Sequence, residues 1–192
     1  MMVWNFLLCH RKFDMSQPQA PEPAKLVISL FLKEKSIIAD VVEELSRKFG
    51  PVDMISSWFP FDYTEYYETE MGSPLFRRIF AFKNLIKQSS LAEIKLATNN
   101  IEHKYSKNGK RIFNLDPGYM IKSRFVLATG KNYSHRIYIG KKIYADLTLI
   151  YTKGSFQTLP WTYPDYADKK MLSCLEIVRS KYLTDLKKPV AL

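Results

Sequence analysis

The chain has 192 residues, 46% of them hydrophobic and 14% aromatic, with a formal net charge of +10. That length supports one hydrophobic core, and the apolar content excludes a disordered polymer. No apolar run approaches the roughly 20 residues of a membrane-spanning helix, and Cys9 and Cys174 are not spaced as a zinc or redox motif, so the sequence reads as cytoplasmic, with no disulfide framework.

The opening Met1–Lys12 places its charges after a short apolar run, the reverse of a secretory signal. Met15 precedes a polar, proline-rich stretch. Residues 1–24 therefore read as a disordered N-terminal lead, with 1–14 an artefact of an upstream start codon; a short interfacial anchor is the competing reading. Residues 25–192 read as a single α+β domain.

Lys25 to Phe31 is a nearly continuous apolar run, the pattern of a strand buried on both faces. Ser36 is placed to cap a helix whose Ile37, Ile38, Val41, Val42, Leu45 and Phe49 share one stripe, ended by Gly50-Pro51. Val52–Phe59 and Phe76–Phe82 read as the second and third strands. No lysine or arginine falls between Lys48 and Arg77, while Asp53, Asp62, Glu65, Glu68 and Glu70 give that window a charge of −5 against +15 elsewhere. An acidic, aromatic insert in a basic body points to an anionic partner, to an internal electrostatic clamp, or simply to a solvated surface.

Ser90-Leu91-Ala92-Glu93 has the form of a capping box, opening a helix with Leu91, Ile94, Ala97, Thr98, Ile101 and Tyr105 on one stripe up to Asn108-Gly109. A strand from Arg111 to Leu115 then completes a β-α-β-β-α-β order, the ferredoxin-like start of a mixed or antiparallel sheet. Ile121–Thr129, Arg136–Ile139, Ile143–Thr152 and Phe156–Leu159 add hairpins. In the third of these, Ile143, Ala145, Leu147 and Leu149 alternate with Tyr144, Asp146 and Thr148, giving one apolar and one polar face. Met171, Leu172, Leu175, Val178, Tyr182 and Leu186 mark a C-terminal helix with Lys187 and Lys188 in its last turn.

Three elements between Asn114 and Tyr166 carry the candidate chemistry. Asn114-Leu115-Asp116-Pro117-Gly118-Tyr119 sets an acid at a strand end before a Pro-Gly turn, as an active-site acid or as a turn former capping its own loop. Lys131-Asn132-Tyr133-Ser134-His135-Arg136 gathers a cation, a hydroxyl, an imidazole and a guanidinium. His135 suits a general acid or base and Arg136 suits a carboxylate or phosphate, although a structural role is the commoner one for a lone histidine. Pro160-Trp161-Thr162-Tyr163-Pro164-Asp165-Tyr166 is stiffened by two prolines, either as the wall of a planar-ligand site or as a hydrophobic plug over the sheet. The acids of residues 58–68 match no calcium loop, no metal set or cofactor is identified, and no phosphate-binding P-loop is present.

Phe113-Asn114-Leu115-Asp116-Pro117-Gly118-Tyr119, Val126-Leu127-Ala128-Thr129, Ser134-His135-Arg136-Ile137-Tyr138, Ile143–Leu149 and Trp161–Tyr166, together with Phe59-Pro60-Phe61 and Tyr66-Tyr67, resemble the bacterial family described as domain of unknown function 4416. The resemblance runs from about Lys25 to the C-terminal helix. Some members of that family are labelled GTP-binding, a label that the missing P-loop does not support here.

The leading expectation is a protein that binds an anionic ligand, a nucleotide, a phosphorylated metabolite or an RNA segment. Lys131 and Arg136 supply charge, and Tyr119, Trp161 and Tyr163 supply stacking. The alternatives are a hydrolase or transferase in which Asp116 or Asp165 orients His135, and a non-catalytic assembly partner forming a homo-oligomer through the acidic insert.

Overall fold

A computed structural model describes residues 16–64 and 66–187, so the readings that fall on residues 1–15, on Glu65 and on Lys188 lie outside the described residues. The elements are β1 (Ala24–Leu32), α1 (Ile38–Phe49), β2 (Val52–Ile55), β3 (Phe59–Phe61), α2 (Glu68–Met71), β4 (Leu75–Ile86), α3 (Leu91–Tyr105), β5 (Phe113–Ile121), β6 (Arg124–Thr129), β7 (Arg136–Tyr138), β8 (Tyr144–Thr152), β9 (Ser155–Thr158), α4 (Pro164–Ala167) and α5 (Lys169–Asp185). The fold is α+β.

All pairings are antiparallel in a nine-stranded sheet ordered β2-β4-β1-β5-β6-β8-β7. The first four of these strands, in that order, form the ferredoxin-like sheet that the element order implies. Each outer edge is split into two short strands: β3 joins β2 along β4, and β9 joins β7 along β8. Val52–Phe59 is thus two strands, not one. Ser56 marks the break, its hydroxyl accepting from Ile79 N at 3.0 Å. Pro60 lies within β3, where a residue without an N–H is tolerated because the strand forms an outer edge.

Strand β1 is central and wholly buried. Its Leu26, Ile28, Leu30 and Leu32 pack on one face with Val41 and Leu45 of α1 and Ile94 and Ile101 of α3. Its opposite face carries Lys25, Val27, Ser29 and Phe31; there Val27 packs with Met171, Leu175 and Val178 of α5. Cys174 belongs to this second core, and burial pushes its thiol up to about 11. Lys25 is fully buried and pairs with Asp185 at 2.7 Å and Asp53 at 3.2 Å.

Ser36 and Ser90 fall in 3-10 turns leading into α1 and α3, and neither helix has a side-chain cap hydrogen bond at its start. Asp168 does cap α5, accepting from Lys170 N at 2.8 Å and Met171 N at 3.3 Å. Among the described residues no helix is long and apolar enough to cross a membrane.

Candidate functional site

The Pro-Gly turn expected after Asp116 does not exist: Asp116, Pro117 and Gly118 lie inside β5, paired with Ser29, Ile28 and Val27. Long-range pairing overrides the local turn preference. Strand β6 joins β5 only from Gly118 onward, so the first half of β5 has no strand partner on that side. Leu115 points its backbone groups into this gap, where α3 satisfies them: Glu102 accepts from Leu115 N at 2.6 Å, and Lys95 donates to Leu115 O at 2.9 Å. Pro117 follows the same alternation and has no N–H to satisfy there. Gly118 sits where the two strands close, and a Cβ on it would meet Val126 O at 2.5 Å.

Over the splay between β5 and β6, on the α5 side of the sheet, lies a cavity of about 220 Å³. Its floor comes from the sheet: Arg77 of β4, Asp116 of β5, Leu127 and Thr129 of β6 and Asp146 of β8 line it. The acidic insert forms one wall through Phe61, Tyr63, Tyr66 and Tyr67, and Lys131, Arg136, Tyr163, Asp165 and Tyr166 form the other. Alternation on the strands explains the convergence. Arg77 pairs with Phe31 across β1, and Asp116 with Ser29, so their side chains share one face.

The carboxylates divide by partner. Asp146 accepts from Arg136 Nε at 2.8 Å and lies 3.3 Å from His135 Nε2. Arg136 also donates to Lys131 O at 3.0 Å and to the Tyr163 hydroxyl at 2.9 Å, so its fork is spent on protein groups. Asp165 is ion-paired with Arg77, which is only 3% exposed. Burial opposes the Arg77 charge, but Tyr166, Asp165 and Asp116 outweigh it and raise its pKa. Asp116 accepts from Asn114 Nδ2 at 2.9 Å and stands 3.4 Å from Lys95 Nζ.

The insert is held as a clamp. Glu70 takes Arg111 through both oxygens, at 2.8 and 2.6 Å, and the Arg111 hydrogen bond holds the Glu70 carboxyl below the usual range. Arg111 continues to Asn114 Oδ1 at 2.6 Å, linking the clamp to Asp116. Phe61 stacks on Phe31 with centroids 4.5 Å apart, and the Arg77 guanidinium lies 4.5 Å from the Phe61 ring. Burial, with Asp116 adding to it, raises the Tyr67 phenol, and burial raises that of Tyr166, so both hydroxyls stay protonated.

Five of the residues singled out from sequence meet in this cavity: Asp116, Lys131, Arg136, Tyr163 and Asp165. Tyr119 does not join them. It sits at an odd separation from Asp116 on the same strand and packs on the opposite face with Leu91 and Ala92. Trp161 and His135 lie behind Asp146, stacked on each other at 5.2 Å, and the indole N–H is spent on Leu147 O at 2.8 Å. His135 is oriented by Asp146 rather than by Asp116 or Asp165, so the acid-base arrangement expected from sequence is not the one formed. Arg77, Tyr66, Tyr67 and Asp146 are additions; Asp146 carried a sequence signal in the polar face of β8, and Tyr66-Tyr67 in the aromatic insert and the family resemblance, whereas Arg77 carried none. Among the described residues no group of three or more histidine, cysteine, aspartate or glutamate side chains is placed to hold a metal ion.

The family model described as domain of unknown function 4416 matches residues 22–182. No curated protein matches the chain, and no solved structure does.

Proposed function

We propose that this chain, which belongs to the family of domain of unknown function 4416, binds a small anionic metabolite in the cavity between the sheet and the aromatic insert. One observation carries the reading: Arg77, which lines the cavity floor, has its Nε buried without a hydrogen-bond partner, and the Tyr166 hydroxyl beside it has only the Ser29 hydroxyl for company. Buried polar groups are almost always paired, so an orphan guanidinium N–H beside two hydroxyls that have only each other calls for an acceptor that the protein does not supply. A carboxylate or phosphate supplies several acceptors at once, and Arg77 recognises either through directed N–H groups.

Lys131 supports the same reading from the rim. Its ammonium lies 4.5 Å from the Tyr66 ring centre and has no carboxylate partner among the described residues. Size favours a metabolite over larger anions: a cavity of about 220 Å³ falls below the roughly 300–1,000 Å³ of drug-sized sites. A nucleoside triphosphate or an RNA segment would extend well beyond it.

Native mass spectrometry of protein purified from its own host, followed by denaturation and analysis of what is released, tests the reading. The expected result is a small acid, carboxylate or phosphate, lost from an Arg77→Gln variant. A retained oligonucleotide, or an empty protein that binds no acid in calorimetry, would overturn it.

A further inference from the structure

We infer that the ligand of this cavity is a zwitterion, an amino-acid-like molecule whose anionic oxygens meet the Arg77 floor, whose amine meets Asp116, and whose remainder is apolar or planar. This rests on the anion-binding reading above and narrows it.

The argument begins with the inequality of the three cavity carboxylates. The side chains of Asp146 and Asp165 are 5% and 9% exposed, and each is held by a guanidinium. The side chain of Asp116 is 29% exposed and has no guanidinium. Its closest partner is the neutral amide of Asn114 at 2.9 Å, and Lys95, at 3.4 Å, is shared with Leu115 O at 2.9 Å. Asp116 therefore keeps acceptor capacity facing the cavity.

A second observation lies close to the first. Asp116, Arg77, Tyr67 and Tyr166 all line the same cavity. The orphan Arg77 Nε and an under-used acceptor thus share one small volume. A purely anionic ligand would satisfy Arg77 while setting its own oxygens against those of Asp116. An amine on the same molecule turns that repulsion into a pair and leaves no charge buried alone. Tyr66, Tyr67 and Tyr163 add ring faces that attract an ammonium, and Phe31 and Leu127 supply apolar lining for the remainder.

The test is calorimetric titration of the full chain with L-phenylalanine, L-tyrosine and L-leucine, each against its analogue lacking the amine: 3-phenylpropanoate, 3-(4-hydroxyphenyl)propanoate and 4-methylpentanoate. At least one amino acid is expected to bind about tenfold or more tighter than its partner. Asp116→Asn is expected to bring that pair within about threefold, chiefly by improving binding of the plain acid. The wild-type comparison stands even if the variant misfolds. Equal binding of acids and amino acids, or a ratio untouched by Asp116→Asn, overturns the zwitterion while leaving anion binding intact. Failure of all six probes also overturns it, and if the host-purified protein then carries no acid, the anion reading falls as well.

Discussion

The two faces of β1 are equally dry and chemically opposite. On the helix side Leu26, Ile28, Leu30 and Leu32 meet α1 and α3 in an aliphatic layer. On the other side Lys25, Ser29 and Phe31 are just as buried, yet two of the three are polar. The aliphatic face needs only shape, because nothing on it requires a partner. The polar face must supply a partner for every group, and it does so at Lys25 with two aspartates and a carbonyl. Where the supply stops, at Arg77 Nε beside Tyr166, the cavity begins. Burial alone therefore does not mark a core; the state of satisfaction of what is buried separates framework from site.

The largest expected break in this contrast comes from Arg77. Replacing it with Met leaves Asp165 buried without its cation, and denaturant unfolding is expected to show a loss of about 3–5 kcal/mol. Adding Asp165→Leu should recover most of that loss, since an apolar pair of similar volume replaces a buried ion pair at little cost. A neutral Arg77→Met would mean that the pair is not buried in solution.

Neighbouring residues of β1 sharpen the comparison. Ile28→Ala, on the helix side, is expected to cost about 3 kcal/mol by emptying a packed site. Ser29→Ala should cost about 1 kcal/mol or less, because the hydroxyl that it removes has only the Tyr166 hydroxyl as a neighbour. Ligand affinity should respond in the reverse order, falling for Ser29→Ala and not for Ile28→Ala. Gly118→Ala probes the closure of the splay. Its methyl would press on Val126 O, and a loss of about 2 kcal/mol is expected unless β6 shifts.

Much of the framework was legible because its signals are local. The apolar run of β1, the stripe of α1 and the alternation in β8 follow from period alone, and the element order then gives the ferredoxin-like sheet. The site was legible only in part. Asp116-Pro117-Gly118 has the composition of a turn, and its strand state depends on β1, far away in sequence. Once it is a strand, parity separates Tyr119 from Asp116, which turn geometry could not reveal. Arg77 reads as one more strand residue after the acidic insert; its significance comes from Asp165 and Tyr166 closing over it from the far end of the chain. The acidic window was a real signal with a local resolution: Asp53 pairs with Lys25 and Lys181, and Glu70 with Arg111.

The smallest expected effect concerns that last pair, and it separates the wall of the site from its floor. Arg111 depresses the Glu70 carboxyl, so the stability that the pair contributes is fully present above the ordinary carboxylate value and is lost as pH falls through the lower, folded value. With both side chains about a quarter to a third exposed, at 27% and 30%, the contribution is about 1 kcal/mol or less. Wild type should exceed Glu70→Gln by that margin at pH 7, and the difference should vanish in acid. The floor offers no such handle, since Arg77 is held charged with its pKa raised further. Amide exchange across residues 61–71 should therefore quicken on acidification or in Glu70→Gln, while β4 around Arg77 keeps its protection. If β4 opened together with the insert, wall and floor would be one cooperative unit, and the clamp would hold the whole face rather than the cavity's edge.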